Sequence, residues 1–350
     1  MTKLETIARA FGVITTEKFS GDDELRDLIA KRADGGERLA ADFRKTHARM
    51  FSLQPGQVPI LQVFDPPQPR PSKPLRDPND PVVVNCNLHG AGDAVLMAWV
   101  AQGAGGKLRL YATGAKRALL EAFGQDVLSS SEGSTDTFEA YAVETKARGT
   151  KVRVQQRGAF LGITTPPVRP TYRLRPEEGL EFAKSLGERP TMLYPGCDDG
   201  TREWPPFYWL ELYEMLDAAG MNPHVFCRDP DLRYSTLPNY HEGLTWSENM
   251  HAMLAARVVV GNDSGPMHVA GTMDVPTIAM LGPTTISMCC HMPSVVPLAA
   301  SAEEISCVGC WHQAPEFRPA CRYGCAALGH ILPPTVFETI ERTSRDHQAQ

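Results

Sequence analysis

From Pro81 onward, short apolar runs alternate with segments of helical period, and most runs end in a corner rich in Gly, Asp or Ser. Strands separated by helices cannot pair as hairpins. They must form parallel sheets covered by helices on both faces. The first set reads PVVVN (81–85), the corner HGAGD, a helix over Ala94–Gly103, the strand KLRLYAT and the helix AKRALLEAFG, closed by Gly124. Residues from about 129 to 185 are less regular and read as loops and short elements. A second set begins near Thr191 with the strand TMLYPG and the helix PPFYWLELYEMLDAAG, which opens on prolines and stops at Gly220. It continues through NPHVFCR, ENMHAMLAA, RVVVGND, GPMHVAGTM and PTIAML. The expected fold is α/β, with two Rossmann-like domains, 81–185 and 186–350, facing each other across a cleft. Ligands of such sheets sit beyond the carboxyl ends of the strands.

One corner, GNDSGPMH at 261–268, follows the apolar run Val258–Val260 and leads into a helical segment. Ser264 or Gly265 suits the helix cap, and Pro266 suits the first helical position. The backbone N–H groups from Ser264 through Gly265, Pro266 and Met267 to His268 then sit at the positive end of a helix dipole, which is an anion site. Gly265 admits a phosphate close to the backbone, and His268 adds a donor. Asp263 is too acidic to face a phosphate and is better placed to accept from sugar hydroxyls or to orient a neighbour. A plain cap without ligand is the alternative for DSG alone.

Outside this region the sequence is of another kind. Residues 1–64 read as a polar helical extension, with Leu25, Leu28, Ile29, Leu39 and Phe43 at helical spacing. It serves as a cap on the main body or as an arm for self-association or a partner. DPPQPRPSKPLRDPNDP follows, and its prolines forbid helix and central strand, so 65–80 is an extended linker. A net charge of −6 argues against a nucleic-acid backbone as main partner. No apolar run has the length of a membrane span, and MTKLETIARAFG lacks a signal-peptide core, so a soluble cytoplasmic protein is expected.

Six of the nine cysteines lie between Cys289 and Cys325. Cys307, Cys310, Cys321 and Cys325 have spacing suited to a tetrahedral thiolate site for zinc or iron, in a finger over 305–327. Four ligands leave no open position, so the metal would be structural. Reduced, unliganded thiols are the alternative. Cys289 and Cys290 are adjacent and read as packing residues.

The stretch DSGPMHVAGTMDVPTIAMLGPTT closely resembles the C-terminal signature of the heptosyltransferase family, glycosyltransferase family 9, and the likeness extends over about 81–345. The resemblance implies a GT-B fold and inverting transfer from a nucleotide-diphosphate sugar, ADP-heptose above all, without a catalytic metal. HGAGDAVLM resembles the family's Gly-Asp loop, which makes Asp93 the general base and His89, Gly90 and Gly92 its acceptor loop. GCDDGTREWPPFYWLEL resembles the phosphate loop, with Arg202 at the basic position and Thr201 as its hydroxyl. The acceptor hydroxyl, on lipopolysaccharide core, protein or another glycan, stays open. Some related protein heptosyltransferases bind iron through a cysteine finger. Other readings of the same cleft are a nucleotide-sugar epimerase and a non-catalytic nucleotide-sugar binder.

Overall fold

The computed structural model describes residues 82–88, 90–131, 161, 163, 166–289, 292–301, 303, 305, 308–310 and 324–348. The helical extension and linker expected over 1–80 lie outside them, as does most of the cysteine finger. By its contacts, Pro81–Gln350 forms one unit.

Two parallel sheets carry this unit. The first has three strands in the order β1 (Val82–Asn85), β2 (Leu108–Tyr111) and β3 (Val127–Leu128). Helix α1 (Ala91–Ala104) crosses from β1 to β2, and α2 (Gly114–Ala122) crosses from β2 to β3. The second sheet has six strands in the order β6-β5-β4-β7-β8-β9. They are β4 (Thr191–Tyr194), β5 (Pro223–Cys227), β6 (Tyr240–Glu242), β7 (Val258–Asn262), β8 (Thr277–Leu281) and β9 (Val295–Ala299). Its helices are α3 (Leu180–Ser185), α4 (Pro206–Ala218), α5 (Trp246–Ala255), α6 (Gly265–Thr272), α7 (Ile286–Cys289), α8 (Ala326–Gly329) and α9 (Pro333–Gln348). The central strands β4, β7 and β8 are buried at every residue. That is why their sequences read as continuous apolar runs without alternation.

The two sheets share one hydrophobic core. A single cluster of buried side chains joins Val84, Leu96 and Leu110 of the first half to Met192, Val259 and Val269 of the second. The seam is the contact of α1 with α6. At one end Trp99 Nε1 donates to Thr272 Oγ1 at 2.9 Å, and Arg169 donates to the Thr272 carbonyl at 2.8 Å. At the other end the first turns of the two helices meet at glycines.

Two strands of the second sheet are nearly silent in the sequence. β6 is the short polar run Tyr-His-Glu at one edge. β9 carries Pro297, which an edge strand tolerates because one of its sides has no ladder to complete.

A histidine pair, with His224 buried and His241 half-buried, lies between β5 and β6. His224, 5% exposed, has Nδ1 2.8 Å from His241 Nε2 and Nε2 3.1 Å from Asn222 Oδ1. Asn222 Nδ2 donates to the Leu186 carbonyl, so the amide oxygen faces the ring and His224 carries its proton on Nε2. His224 Nδ1 then accepts from His241, and both rings are neutral. Burial, reinforced by His241, pushes His224 down to about 4. A histidine held neutral by the fold stabilises it above the ordinary imidazole range and loses that contribution as pH falls. Thermal melting is therefore expected to show stability falling by about 2 kcal/mol between pH 6.5 and pH 4. His224→Gln should flatten that slope.

Candidate functional site

Strand order in the second sheet reverses between β4 and β7. The chain runs outward from β4 to β5 and β6, then returns to lay β7 on β4's other side. Ligands of open parallel sheets sit beyond the strand ends at such a reversal. Here that place lies between the 195–204 segment after β4 and the Asp263–Gly265 turn after β7.

Helix α6 begins at Gly265, with Ser264 as an extended N-cap and Pro266 in its first turn. Ser264, Gly265 and Pro266 are half-buried. Pro266 has no N–H, so the donors at this helix head are those of the neighbouring residues rather than an unbroken run. The Ser264 hydroxyl makes no capping bond and is buried with no hydrogen-bond partner among the described residues.

The head of α1 arrives at the same point. A Cβ on Gly265 would stand 3.1 Å from Ala91 Cβ and 3.4 Å from Gly92 N. A Cβ on Gly92 would strike His268 Cδ2 at 2.6 Å. Glycine at 92 is what lets the helices approach so closely, and a side chain at 265 would crowd Ala91 as well. Two positive helix ends therefore converge. Trp246, which opens α5, walls the junction, its Cη2 3.6 Å from the same Gly265 position. Asp93 lies in the first turn of α1 and is half-buried. Its Oδ2 would be 3.8 Å from a Cβ on Gly90, and Oδ2 of Asp198 would be 4.0 Å from it. Two carboxylates thus border Gly90. His89 lies outside the described residues.

Three expected contacts turn out differently. Asp263, expected beside a sugar, is 1% exposed. It closes β7 beneath α6, where Arg202 Nη1 stands 3.7 Å from Oδ2 and His268 Nε2 stands 3.4 Å from Oδ1. His268, expected to donate to an anion, is enclosed between Asp263 and Gly92 at 3% exposure. Met267, the residue before it, points its side chain into the core. Thr201 spends its hydroxyl on Asp199 Oδ1 at 2.6 Å, and its N–H donates to the same oxygen. This is an Asx turn, which short polar side chains form two residues ahead in the chain.

Arg202 lies in the turn after β4, beside the turn that precedes α6. Its Nη1 donates to the Asp263 carbonyl at 2.8 Å, which fixes the guanidinium beside the head of α6. Cys197 Sγ reaches the same carbonyl at 3.7 Å, and burial pushes its thiol up to about 11. Behind the loop stand residues that the sequence reading missed. Glu203 accepts from Cys197 N at 3.4 Å and pairs with Arg233 at 3.2 Å, which in turn grips Asp231 at 2.7 Å. Their signal was an Asp-x-Arg run after β5, indistinguishable in sequence from a surface loop.

Of the four clustered cysteines, Cys307 and Cys321 lie outside the described residues. Cys310 follows Gly309, whose N–H donates to the Gly282 carbonyl at 2.8 Å. Cys325 Sγ also neighbours Gly282, 2.8 Å from where a Cβ would stand. Two of the four sulfur-bearing residues therefore border one loop after β8. Among the described residues no cluster of three or more His, Cys, Asp or Glu is placed to hold a metal. Among them, too, no helix is long and apolar enough to cross a membrane.

Comparison with known proteins bears on this geometry. Lipooligosaccharide heptosyltransferase 2 of Haemophilus influenzae is 30% identical over 142 residues, covering 34% of this chain and 41% of that protein. The chain thus spans under half the length of the curated relatives it matches. Among solved structures, the glycosyl transferase family 9 protein of Veillonella parvula has a TM-score of 0.55 at 13% identity, covering 77% of this chain and 98% of that one. The iron-containing dodecameric glycosyltransferase TibC of enterotoxigenic E. coli has a TM-score of 0.58 at 15% identity, covering 78% of each chain. These likenesses show a shared α/β glycosyltransferase fold. A model of the family described as glycosyltransferase family 9 (heptosyltransferase) matches residues 139–327. That match takes in more than half of the chain and both turns that frame the β4–β7 reversal, and the chain belongs to this family.

Proposed function

We propose that the chain is an inverting glycosyltransferase that moves heptose from ADP-heptose to an acceptor hydroxyl on lipopolysaccharide core, a protein or another glycan. The observation that carries this reading is the meeting of two helix heads at the strand reversal. One head bears Asp93 and the other opens an anion cradle beside Arg202. The family match and the heptosyltransferase relatives supply the sugar, and TibC has been solved with ADP-D-beta-D-heptose.

In this mechanism Asp93 takes the proton from the acceptor hydroxyl as its oxygen attacks the anomeric carbon. The bond from that carbon to the diphosphate breaks, and negative charge grows on the departing nucleotide. Arg202 and the N–H groups of Ser264, Gly265 and Met267 hold that charge where it develops, which lowers the barrier more than it tightens the ground state. Asp263 and His268 act from behind, one fixing Arg202 and the other filling the space under Gly92. Thr201 shapes the loop through Asp199. No catalytic metal is needed for these steps. Cys307, Cys310, Cys321 and Cys325 would hold a structural zinc or iron, a role that their spacing supports.

Calorimetry against ADP, UDP and GDP tests the reading. ADP is expected to bind selectively, and Arg202→Ala to weaken it by roughly 10- to 100-fold, the worth of a charged hydrogen bond. Binding of UDP or GDP alone would sink the ADP assignment. Binding of none would sink the transferase reading.

A further inference from the structure

Asn262 is the last residue of β7 and is fully buried, at 0% exposure. Asparagine is depleted in strands, and a buried amide needs partners for both its ends. Its partners are informative. Asn262 Nδ2 donates to the Pro195 carbonyl at 2.7 Å. Its Oδ1 accepts from Trp204 N at 2.9 Å. Pro195 and Trp204 are the first and last residues of the loop that contains Arg202. Both are buried, whereas Gly196, Asp198 and Gly200 between them are exposed.

One side chain therefore closes both ends of the loop at once. Only a group with a donor and an acceptor on the same planar head can do this. Aspartate lacks the donor, and leucine lacks both. The next residue, Asp263, offers its carbonyl to Arg202 Nη1. Asn262 and Asp263 thus tie the loop's ends and its cation to the very turn that opens α6.

We propose that Asn262 is a positioning residue that presets the 195–204 loop as an anion-binding arch before any ligand arrives. This inference rests on the donor-site reading above. It adds that the arch is built by β7 and is not folded around the diphosphate.

Hydrogen exchange on the wild-type protein tests the preset directly. Amides of 195–204 that are anchored at the ends, Trp204 above all, are expected to be protected already in the free protein, with ADP adding less than about threefold. A loop unprotected when free and protected only with ADP would overturn the proposal. The second test is Asn262→Asp, which keeps the acceptor for Trp204 N–H and sets a carboxylate oxygen against the Pro195 carbonyl. ADP affinity is expected to fall about tenfold and the donor KM to rise with it, with kcat changed less than about threefold and adenosine binding unchanged. A purely structural role would lower melting temperature without separating ADP from adenosine. ADP affinity unchanged in Asn262→Asp would overturn the arch alone. A wild-type protein that binds no nucleotide diphosphate would instead overturn the donor-site reading, and the arch's role with it.

Discussion

Asp93→Asn is expected to lower turnover by roughly 10²- to 10⁴-fold, the usual contribution of a positioned general base. The amide has the size of the carboxylate but accepts no proton at neutral pH. The proposed cradle at α6 and Arg202 is untouched by this change, so ADP affinity measured by calorimetry should stay within about threefold. The carboxylate also sits in the first turn of α1, where a negative charge favours the helix. Its loss there should cost only about 0.3–1 kcal/mol. Turnover that collapses while binding and melting hold would identify the base. Turnover that survives would remove Asp93 from the chemistry and move attention to Asp198, whose Oδ2 borders the same glycine.

The second large effect is expected at Gly92→Val. A Cβ there would lie 2.6 Å from His268 Cδ2, far inside contact distance, and 3.5 Å from Gly265 Cα. The imidazole is packed on Asp263 and cannot step aside, so the heads of α1 and α6 must part. Overpacking of this kind costs about 1–3 kcal/mol. Separation also shifts Asp93 relative to the cradle, and a displacement of about 1 Å can cost on the order of 10²-fold in rate. Melting temperature and turnover should therefore fall together. Gly329→Ala, where a Cβ meets nothing within 4 Å, is the control and should change stability by no more than about 0.5 kcal/mol. Normal turnover in Gly92→Val would show that the helix heads need not touch for catalysis.

Much of the fold was legible because buried parallel strands announce themselves. VVVN, TMLY, VVVGN and TIAML are each apolar but for one or two residues at an end, and each is a strand. Glycines after α2 and α4 marked the stops, and Gly124 and Gly220 both adopt positive φ. Edge strands were harder. Tyr240–Glu242 is polar because one of its sides is open, and Pro297 argues against a strand that β8 nevertheless pairs. In the candidate site, the motifs mark turns that the fold brings together, but they do not give the direction of each side chain. Asp263 and His268 look like ligand contacts in a glycine-rich corner. Their burial follows from α1 lying over α6, a contact between segments some 170 residues apart that no local pattern encodes. Thr201 looked like a phosphate hydroxyl because nothing in sequence says that its hydroxyl donates to Asp199. Asn262 stood inside the quoted corner and drew no notice, since its partners lie 67 and 58 residues away.

The shared core also limits how the two sheets can move. Parting them at the α1–α6 seam would uncover apolar surface of the shared core, at a cost of about 25 cal/mol for each Å² exposed to water. Gaping is thus the expensive motion. Sliding α1 along α6 by a fraction of a turn keeps the apolar surface covered, as in shear motions of packed helices. Such a slide would move Asp93, in the first turn of α1, relative to the turn that opens α6. The proposed base and the proposed anion site would then come into register by translation of one helix on another rather than by separation of the sheets.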